Sequence, residues 1–166
     1  MDKTVSNTGP FIHLAEIGEF ELLKMFSKIY IPGEVYEEVC IQGMPGGIEV
    51  RTAENIEVLE VSKEEVEAMS DIISFKLDGG ELEALALCNR LGAKIFLTDD
   101  LDAREAGKRL GLEVHGSVGI IARAYMDGLI NLDDAKKDLN DFYTVSKLFV
   151  TKAIVEEAIS QLEMLK

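Results

Sequence analysis

The sequence predicts an α/β fold in which helices cover both faces of a central parallel sheet of about four or five strands. Short apolar segments alternate with longer segments of helical periodicity, which is the pattern of βαβ units joined by right-handed crossovers. The chain has 166 residues, 47% of them hydrophobic, so it can bury one sizeable core. It contains no internal repeat and no low-complexity linker.

The predicted strands are short and apolar, as strands buried in a parallel sheet are. They span residues 4–5, 28–31, 56–61, 94–98 and 112–115. All five are followed by polar or turn-forming residues, and the strand at 94–98 ends directly in Asp99 and Asp100.

Start and stop signals bound the predicted helices. Pro10 marks the first helix, Ser62 and Glu65 form a capping box, Gly92 is a C-cap, and Ser117 is an N-cap. The first predicted helix begins near residue 10, and further helices are predicted over residues 34–41, 62 to about 77, 81–91, 101–110 and 117–128. Residues 132–166 are predicted to be helical in two pieces with acidic first turns.

We expect residues 1–130 to form the α/β domain and residues 131–166 to form a helical extension packed on the same domain. The longest apolar run is a few residues and the N-terminus is polar, so we expect no membrane span, no signal peptide and a cytoplasmic protein. Cys40 and Cys88 lie in apolar helical patterns without a CxxC motif, so we expect two reduced core cysteines.

The formal net charge is -14, from 17 basic and 31 acidic residues. This charge repels polyanions and argues against a general nucleic-acid-binding surface. A site that holds divalent cations must itself be acidic, however, and bound cations invert the local field. The charge therefore weakens the case for a nuclease without removing it.

Ligands of open parallel sheets bind beyond the carboxyl ends of the strands. The polar residues at or near those ends are Ser6, Asn7, Thr8, Glu37, Glu38, Thr98, Asp99, Asp100 and Asp102, with Glu81 opening the helix before the fourth strand. Oxygen ligands from several segments, without a His or Cys cluster, suit Mg²⁺ or Mn²⁺. Such a site supports metal-assisted hydrolysis of a phosphodiester.

These residues also have structural explanations. The helix dipole favours Glu81 in a first turn, the aspartates after the fourth strand are suited to cap the next helix, and the glutamates at 34–38 could form a solvated helix face. His13 and His115 have no ligand-spaced partner, so we expect them to be packed or surface residues.

Four segments resemble, in order and spacing, the successive motifs of a PIN domain across about residues 1–130. They are VSNTGP at 5–10, IPGEVYEEV at 31–39, GELEA at 80–84 and LTDDLD at 97–102. More narrowly, the chain resembles a poorly characterised prokaryotic PIN-like branch related to the VapC toxins. The resemblance implies a PIN-like three-layer α/β/α sandwich, Mg²⁺ or Mn²⁺ as cofactor, RNA cleavage, dimerisation and pairing with an antitoxin.

The resemblance also implies roles for individual positions. The implied catalytic residues are Asn7, Glu38, Glu81, Asp100 and Asp102, and the implied metal ligands are Asn7, Glu38, Glu81, Asp99 and Asp100. Asn7 and Glu81 stand where the family has Asp, and the charge lost at Asn7 should weaken binding of a hard cation. Adjacent residues point in different directions, so we favour Glu38 over Glu37 and Asp100 over Asp99.

The leading hypothesis is a metal-dependent endoribonuclease that hydrolyses RNA, acting as the toxin of a toxin–antitoxin pair and forming a homodimer. Its antitoxin would present Arg or Lys to the acidic pocket. The main alternative is a catalytically silent PIN-like binding or scaffolding module with an acidic docking surface, which Asn7 and the negative charge favour. A phosphatase or receiver-like domain ranks lower, because no Lys follows a predicted strand.

Overall fold

A five-stranded parallel sheet lies at the centre of the computed structural model, which describes residues 2–74, 76–148 and 150–165. The strand order is β3-β2-β1-β4-β5, and every pairing is parallel. The strands are β1 (Thr4–Ser6), β2 (Ile29–Pro32), β3 (Ile56–Leu59), β4 (Ile95–Leu97) and β5 (Glu113–His115). The predicted parallel sheet and its number of strands are confirmed.

Helices supply the connections between the strands. The α-helices are α1 (Thr8–Glu16), α2 (Gly33–Tyr36), α3 (Gly47–Thr52), α4 (Lys63–Ile72), α5 (Gly79–Leu91), α6 (Leu101–Arg109), α7 (Ser117–Met126), α8 (Leu132–Thr144) and α9 (Lys152–Met164). A 3₁₀ helix spans Phe20–Met25, and a π-helical turn, Glu37–Ile41, continues α2.

Side chains of successive strand residues pack into two separate hydrophobic clusters, one on each face of the sheet. Ile95 and Leu97 of β4 belong to one cluster, and Phe96 between them belongs to the other. The first cluster includes residues of α1, α7, α8 and α9, and the second includes residues of α4, α5 and α6. The alternation follows from the two-residue period of a strand, and it confirms the three-layer α/β/α sandwich.

Some predicted helix boundaries were wrong. The helix predicted over residues 62–77 ends at Ile72, since Ile73 adopts an extended conformation; residue 75 of that stretch lies outside the described residues. Two β-branched residues followed by Ser74 are weak helix formers, which accounts for the early end. The capping box of Ser62 and Glu65 is present as predicted, and α9, unlike α8, has no acidic residue in its first turn.

The C-terminal helices contribute to the core of the first face. Ala135, Leu139 and Phe142 of α8 are fully buried, and Val155 and Leu162 of α9 are nearly so. We propose on this basis that residues 131–166 are packed on the α/β domain as one folding unit with residues 1–130. Residues 149 and 166 of the predicted C-terminal helical region lie outside the described residues.

Polar contacts also tie the connection between α8 and α9 to α1. Glu16 Oε1 accepts hydrogen bonds from Ser146 Oγ at 2.7 Å and from Lys147 N at 3.1 Å, and His13 Nδ1 lies 2.8 Å from the same oxygen. These bonds lower the pKa of the Glu16 carboxyl, although partial burial opposes them. His13 is therefore a packed residue with a structural partner, as predicted.

Cys40 and Cys88 are buried free thiols, as predicted. Within residues 2–74, 76–148 and 150–165, no helix combines the length and the apolar character that crossing a bilayer requires.

Asp138 of α8 is a buried carboxyl group that forms no ion pair with any described Lys, Arg or His, and its Oδ2 has no hydrogen-bond partner among the described residues. It is 4% exposed. Burial raises its pKa to about 8, and a hydrogen bond and charge repulsion from Glu19 act in the same direction, whereas Lys137 opposes them. The folded protein therefore holds a proton on Asp138 at pH values where an unfolded aspartate has already lost it.

Asp138→Asn should remove a pH-dependent loss of stability. Because the folded pKa lies above the unfolded value, the wild-type folded state binds more protons than the unfolded chain, and its stability falls as pH rises from about 4 to about 8. At pH 8 we expect the variant to be more stable than wild type by at least about 1 kcal/mol, the worth of a one-unit shift. Urea unfolding at pH 5 and pH 8 measures this.

The matched control for that measurement is Asp133→Asn, which removes the charge of an exposed aspartate from the same helix. Its stability difference from wild type should change little between the two pH values. An equal stability difference for Asp138→Asn at both pH values would show that Asp138 is ionised in the folded protein.

Candidate active site

The two central strands β1 and β4 bring Asn7 and Thr98 together at the carboxyl edge of the sheet. The chain runs outward from β1 through β2 to β3 and then returns to β4 on the other side of β1, so this edge is the topological switch point where such sheets bind ligands. Asn7 N donates to Leu97 O at 2.8 Å, and Asn7 Nδ2 donates to Thr98 Oγ1 at 3.3 Å. Asn7 is 8% exposed, so its side chain is held in place beneath the edge.

Asp100 lies at the same edge, at the start of α6. Its backbone N–H donates to Thr98 Oγ1 at 3.3 Å, and its Oδ2 accepts from Ala103 N at 2.8 Å. Asp100 is therefore the N-cap of α6, which was the structural alternative considered for it. The residue is exposed, and a carboxylate that accepts one bond at one oxygen retains lone pairs for another ligand.

Asp99 points in a different direction from Asp100. Its Oδ1 accepts from Ser117 N and its Oδ2 accepts from Ser117 Oγ, both at 2.6 Å. The prediction that Ser117 is an N-cap is wrong. The N-cap of α7 is Gly116, which has no side chain that could cap the helix. Asp99, which follows β4, instead accepts the hydrogen bond from the first backbone N–H of this helix. To act as the predicted metal ligand, Asp99 would have to give up its hydrogen bonds with Ser117.

Glu81 is placed by the start of α5. Asp78 and Glu81 form a reciprocal capping box, with Glu81 N donating to Asp78 Oδ1 at 2.9 Å and Asp78 N donating to Glu81 Oε2 at 3.2 Å. Burial raises the pKa of Glu81 to about 7, and the charges of Asp100, Asp78 and Asp102 add to the rise. Glu81 therefore lies in the field of the carboxylates that begin α6.

Glu38 reaches the edge from the π-helical turn. Thr8 Oγ1 donates to Glu38 Oε2 at 3.1 Å. A Cβ atom on Gly80 would lie 3.1 Å from Glu38 Oε1, so Glu38 packs closely against the first turn of α5. Burial raises the pKa of Glu38, the bond from Thr8 opposes this, and the charges of Asp78 and Glu34 add to it.

The helix predicted over residues 34–41 is a short α-helix followed by a π-helical turn. π-Helical turns are rare in proteins, and many of those that occur lie at functional sites. Within this turn Glu37 is exposed whereas Glu38 is half-buried; the choice of Glu38 over Glu37 as a site residue stays a prediction. Nothing in the residue pattern signals the π geometry.

The chemistry of these donors fits a hard divalent cation. The side chains offer carboxylate and amide oxygens, which Mg²⁺ and Mn²⁺ prefer. Burial is the largest cause of the raised pKa values of Glu38 and Glu81, and neighbouring carboxylates add to the rise, a contribution that a bound cation would offset. Among the described residues, however, no three His, Cys, Asp or Glu side chains are already arranged to hold a metal ion. Asp78, Glu81 and Asp100 are instead engaged in capping bonds at the starts of α5 and α6.

Sequence analysis overlooked three residues at this edge. Asp78 caps α5, and its spacing from Glu81 is the same as that of the capping box recognised at Ser62, so the signal was present. Gly116 allows Asp99 to approach, since a Cβ atom there would lie 2.9 Å from Asp99 Oδ1. Arg104 faces the same region from α6, and no sequence pattern singles it out.

The fold and its edge define an α/β domain with carboxylates gathered at the switch point of a parallel sheet. A family model described as a PIN domain (DUF3368) matches residues 3–164, and the chain therefore belongs to the PIN-domain family. No curated protein matches the chain.

Among solved structures, the chain is similar to VapC20 of Mycobacterium tuberculosis, a toxin that cleaves the sarcin–ricin loop. The identity is 14% and the TM-score is 0.51, over 63% of this chain and 95% of that chain. This likeness shows the fold. Together with the family match, it confirms the resemblance to VapC-like PIN domains.

Proposed function

We propose that the protein is a metal-dependent endoribonuclease that hydrolyses RNA phosphodiesters. Membership of the PIN-domain family supports a nuclease. Two observations support the proposal: Glu81 of α5 lies within reach of the charge of Asp100 at the start of α6, and Glu38 lies against the first turn of α5 and accepts a hydrogen bond from Thr8, the residue after Asn7. Carboxylates crowded at such an edge suit cation-assisted phosphodiester chemistry better than a structural role alone.

Asn7, Glu38, Glu81 and Asp100 are the residues that would hold Mg²⁺ or Mn²⁺. A bound ion of this kind lowers the pKa of a water ligand and neutralises charge on the phosphate. Thr98 holds both the Asn7 amide and the Asp100 backbone, so it fixes the spacing of the two strand ends. Asp102, exposed in the first turn of α6, adds negative charge beside Glu81.

Calorimetric titration with Mn²⁺ tests the site through Glu81→Gln. The substitution removes one formal charge and keeps the length of the side chain, so α5 retains an amide oxygen for its capping bond. Affinity of such sites follows the charge of the ligands, and we expect Mn²⁺ to bind the variant at least about tenfold more weakly than wild type. Unchanged affinity would remove Glu81 from the metal site.

The same titration should move in the opposite direction with Asn7→Asp, which adds a charge. The site can accept the substitution, because the Thr98 hydroxyl that now accepts from Asn7 Nδ2 can rotate and donate to a carboxylate. We expect the affinity for Mn²⁺ to rise about tenfold. Asp133→Asn, which removes the charge of an exposed aspartate in α8, is the control for a general effect of net charge, and its Mn²⁺ affinity should stay within about twofold of wild type.

Further roles follow from the family and are part of the proposal. VapC20 is described as a toxin, and we propose that this chain is likewise the toxin of a toxin–antitoxin pair, a homodimer that acts in the cytoplasm. An antitoxin that blocks it would present Arg or Lys to the acidic edge.

A catalytically silent PIN-like binding or scaffolding module is the second candidate. Two observations favour it. The described carboxylates are not arranged to hold a metal ion, and the Asn7 side chain donates a hydrogen bond to Thr98. In this case the carboxylates cap helices and the acidic surface docks a basic partner. Absence of Mn²⁺ binding at millimolar concentration, in wild type and in Asn7→Asp alike, would favour this module over the nuclease.

A further inference from the structure

Two clefts flank the acidic edge, and their charges differ. The first, of about 720 Å³, lies beside α2 and β3, and none of the described residues that line it is Lys or Arg. Its acidic lining residues are Glu34, Glu37, Glu38, Glu60 and Glu83. The second, of about 680 Å³, lies between α6, α7 and α9. The described charged residues that line it are Asp99, Asp100, Asp102 and Arg104, and much of its remaining described wall is aliphatic.

Arg104 is a basic side chain of α6 that lines the second cleft together with Asp99, Asp100 and Asp102. It follows Asp100 by four residues, so the two lie on the same face of α6. A Cβ atom on Gly116 would lie 3.4 Å from Arg104 Nη1, which places the guanidinium over the start of α7, beside Asp99. Its charge is one of the factors that lower the pKa of His115.

Arg104 differs from the other half-buried basic residues in its contacts. Considering residues 2–74, 76–148 and 150–165, it is the one half-buried Lys or Arg for which the structure shows neither an ion pair nor a hydrogen bond. The other half-buried Lys and Arg residues are Lys28, Arg123 and Lys136, which pair with Glu57, Glu113 and Glu163. A half-buried guanidinium with unused donors is suited to bind an anion.

We propose that Arg104 binds a phosphate of the RNA substrate and that the RNA strand enters through the second cleft. The inference rests on the proposed nuclease function. Five glutamates in the first cleft repel a polyanion, whereas Arg104 offers a planar donor pair that matches phosphate geometry. The bound phosphate is a neighbour of the cleaved one, because Arg104 and Asp100 lie one helical turn apart on α6.

The test compares Arg104→Gln with wild type in cleavage of a labelled single-stranded RNA with Mn²⁺. A contact to a neighbouring phosphate is made equally before and during reaction, so the half-saturating RNA concentration should rise about tenfold while the rate at saturation stays nearly unchanged. Arg104→Lys should recover part of the loss. Lys108→Gln, which removes an exposed charge from the same helix, should stay within about twofold of wild type.

Fluorescence anisotropy in EDTA measures binding of the same RNA without cleavage. Arg104→Gln should reduce the dependence of log Kd on log salt concentration by about 0.7, the value for one phosphate contact on a single strand. It should also abolish the effect of one neutral methylphosphonate placed next to the cleavage site. Equal behaviour of Arg104→Gln and Lys108→Gln in both assays overturns the proposal.

The outcomes separate this inference from the proposed function. Cleavage that is indifferent to Arg104 leaves the nuclease standing and removes Arg104. Binding that depends on Arg104, without cleavage by wild type, supports the phosphate contact and removes the nuclease. Wild type that neither binds nor cleaves RNA overturns both.

Discussion

Asp100→Asn should reduce Mn²⁺-supported cleavage of single-stranded RNA by on the order of 100-fold or more and leave the fold intact. The substitution separates the two tasks of Asp100. Asn is as good an N-cap as Asp, so the bond that Asp100 Oδ2 accepts from Ala103 N at 2.8 Å can be kept by the amide oxygen. The charge that a divalent cation requires is lost. Single-turnover cleavage and thermal unfolding, measured on the same sample, test both statements.

Asp133→Asn provides the matched control for cleavage, because it removes the charge of an exposed first-turn aspartate from a different helix. Its cleavage rate should equal that of wild type. If Asp100→Asn were to cleave RNA at the wild-type rate, Asp100 would be a helix cap and nothing more. Loss of cleavage together with a large fall in melting temperature would mean that the cap, rather than the charge, had been lost.

The sheet was predictable because its signals are local and redundant. Ile95, Phe96 and Leu97 are all buried, as a continuous apolar run in a parallel strand requires. Parallel strands then place their carboxyl ends on one edge whatever the detailed register, so the proximity of Asn7 to Thr98 followed from topology alone. The family resemblance in four ordered segments supplied what strand patterns could not, namely which polar residues at the edge deserve attention.

The directions of the site side chains were not predictable, because long-range hydrogen bonds decide them. Asp99 turns towards Ser117, which is 18 residues later in the chain, and so takes over the capping task that the sequence assigns to Ser117 itself. Glu38 is oriented by Thr8 of another helix. Local capping rules apply only when no partner from elsewhere in the fold competes for the helix start.

Phe142→Ala should lower the free energy of unfolding by about 3–5 kcal/mol, the usual cost of removing a buried aromatic side chain. Phe142 is fully buried and belongs to the cluster that also contains Ile29, Ile31 and Leu97 of the sheet. The loss should appear as one earlier transition in urea unfolding, whether followed by far-UV or near-UV circular dichroism, because α8 and the sheet share this core.

The neighbouring Tyr143→Ala is the control, since Tyr143 is 51% exposed and its removal should cost less than about 1 kcal/mol. The pair of variants also tests whether residues 131–166 fold with residues 1–130. If the C-terminal helices were an independent unit, Phe142→Ala would split the unfolding curve into two transitions and leave the second at the wild-type midpoint. A single shifted transition means that α8 and α9 stabilise the sheet itself. The α9 side of the second cleft, and with it the proposed RNA path, would then depend on the stability of the whole domain.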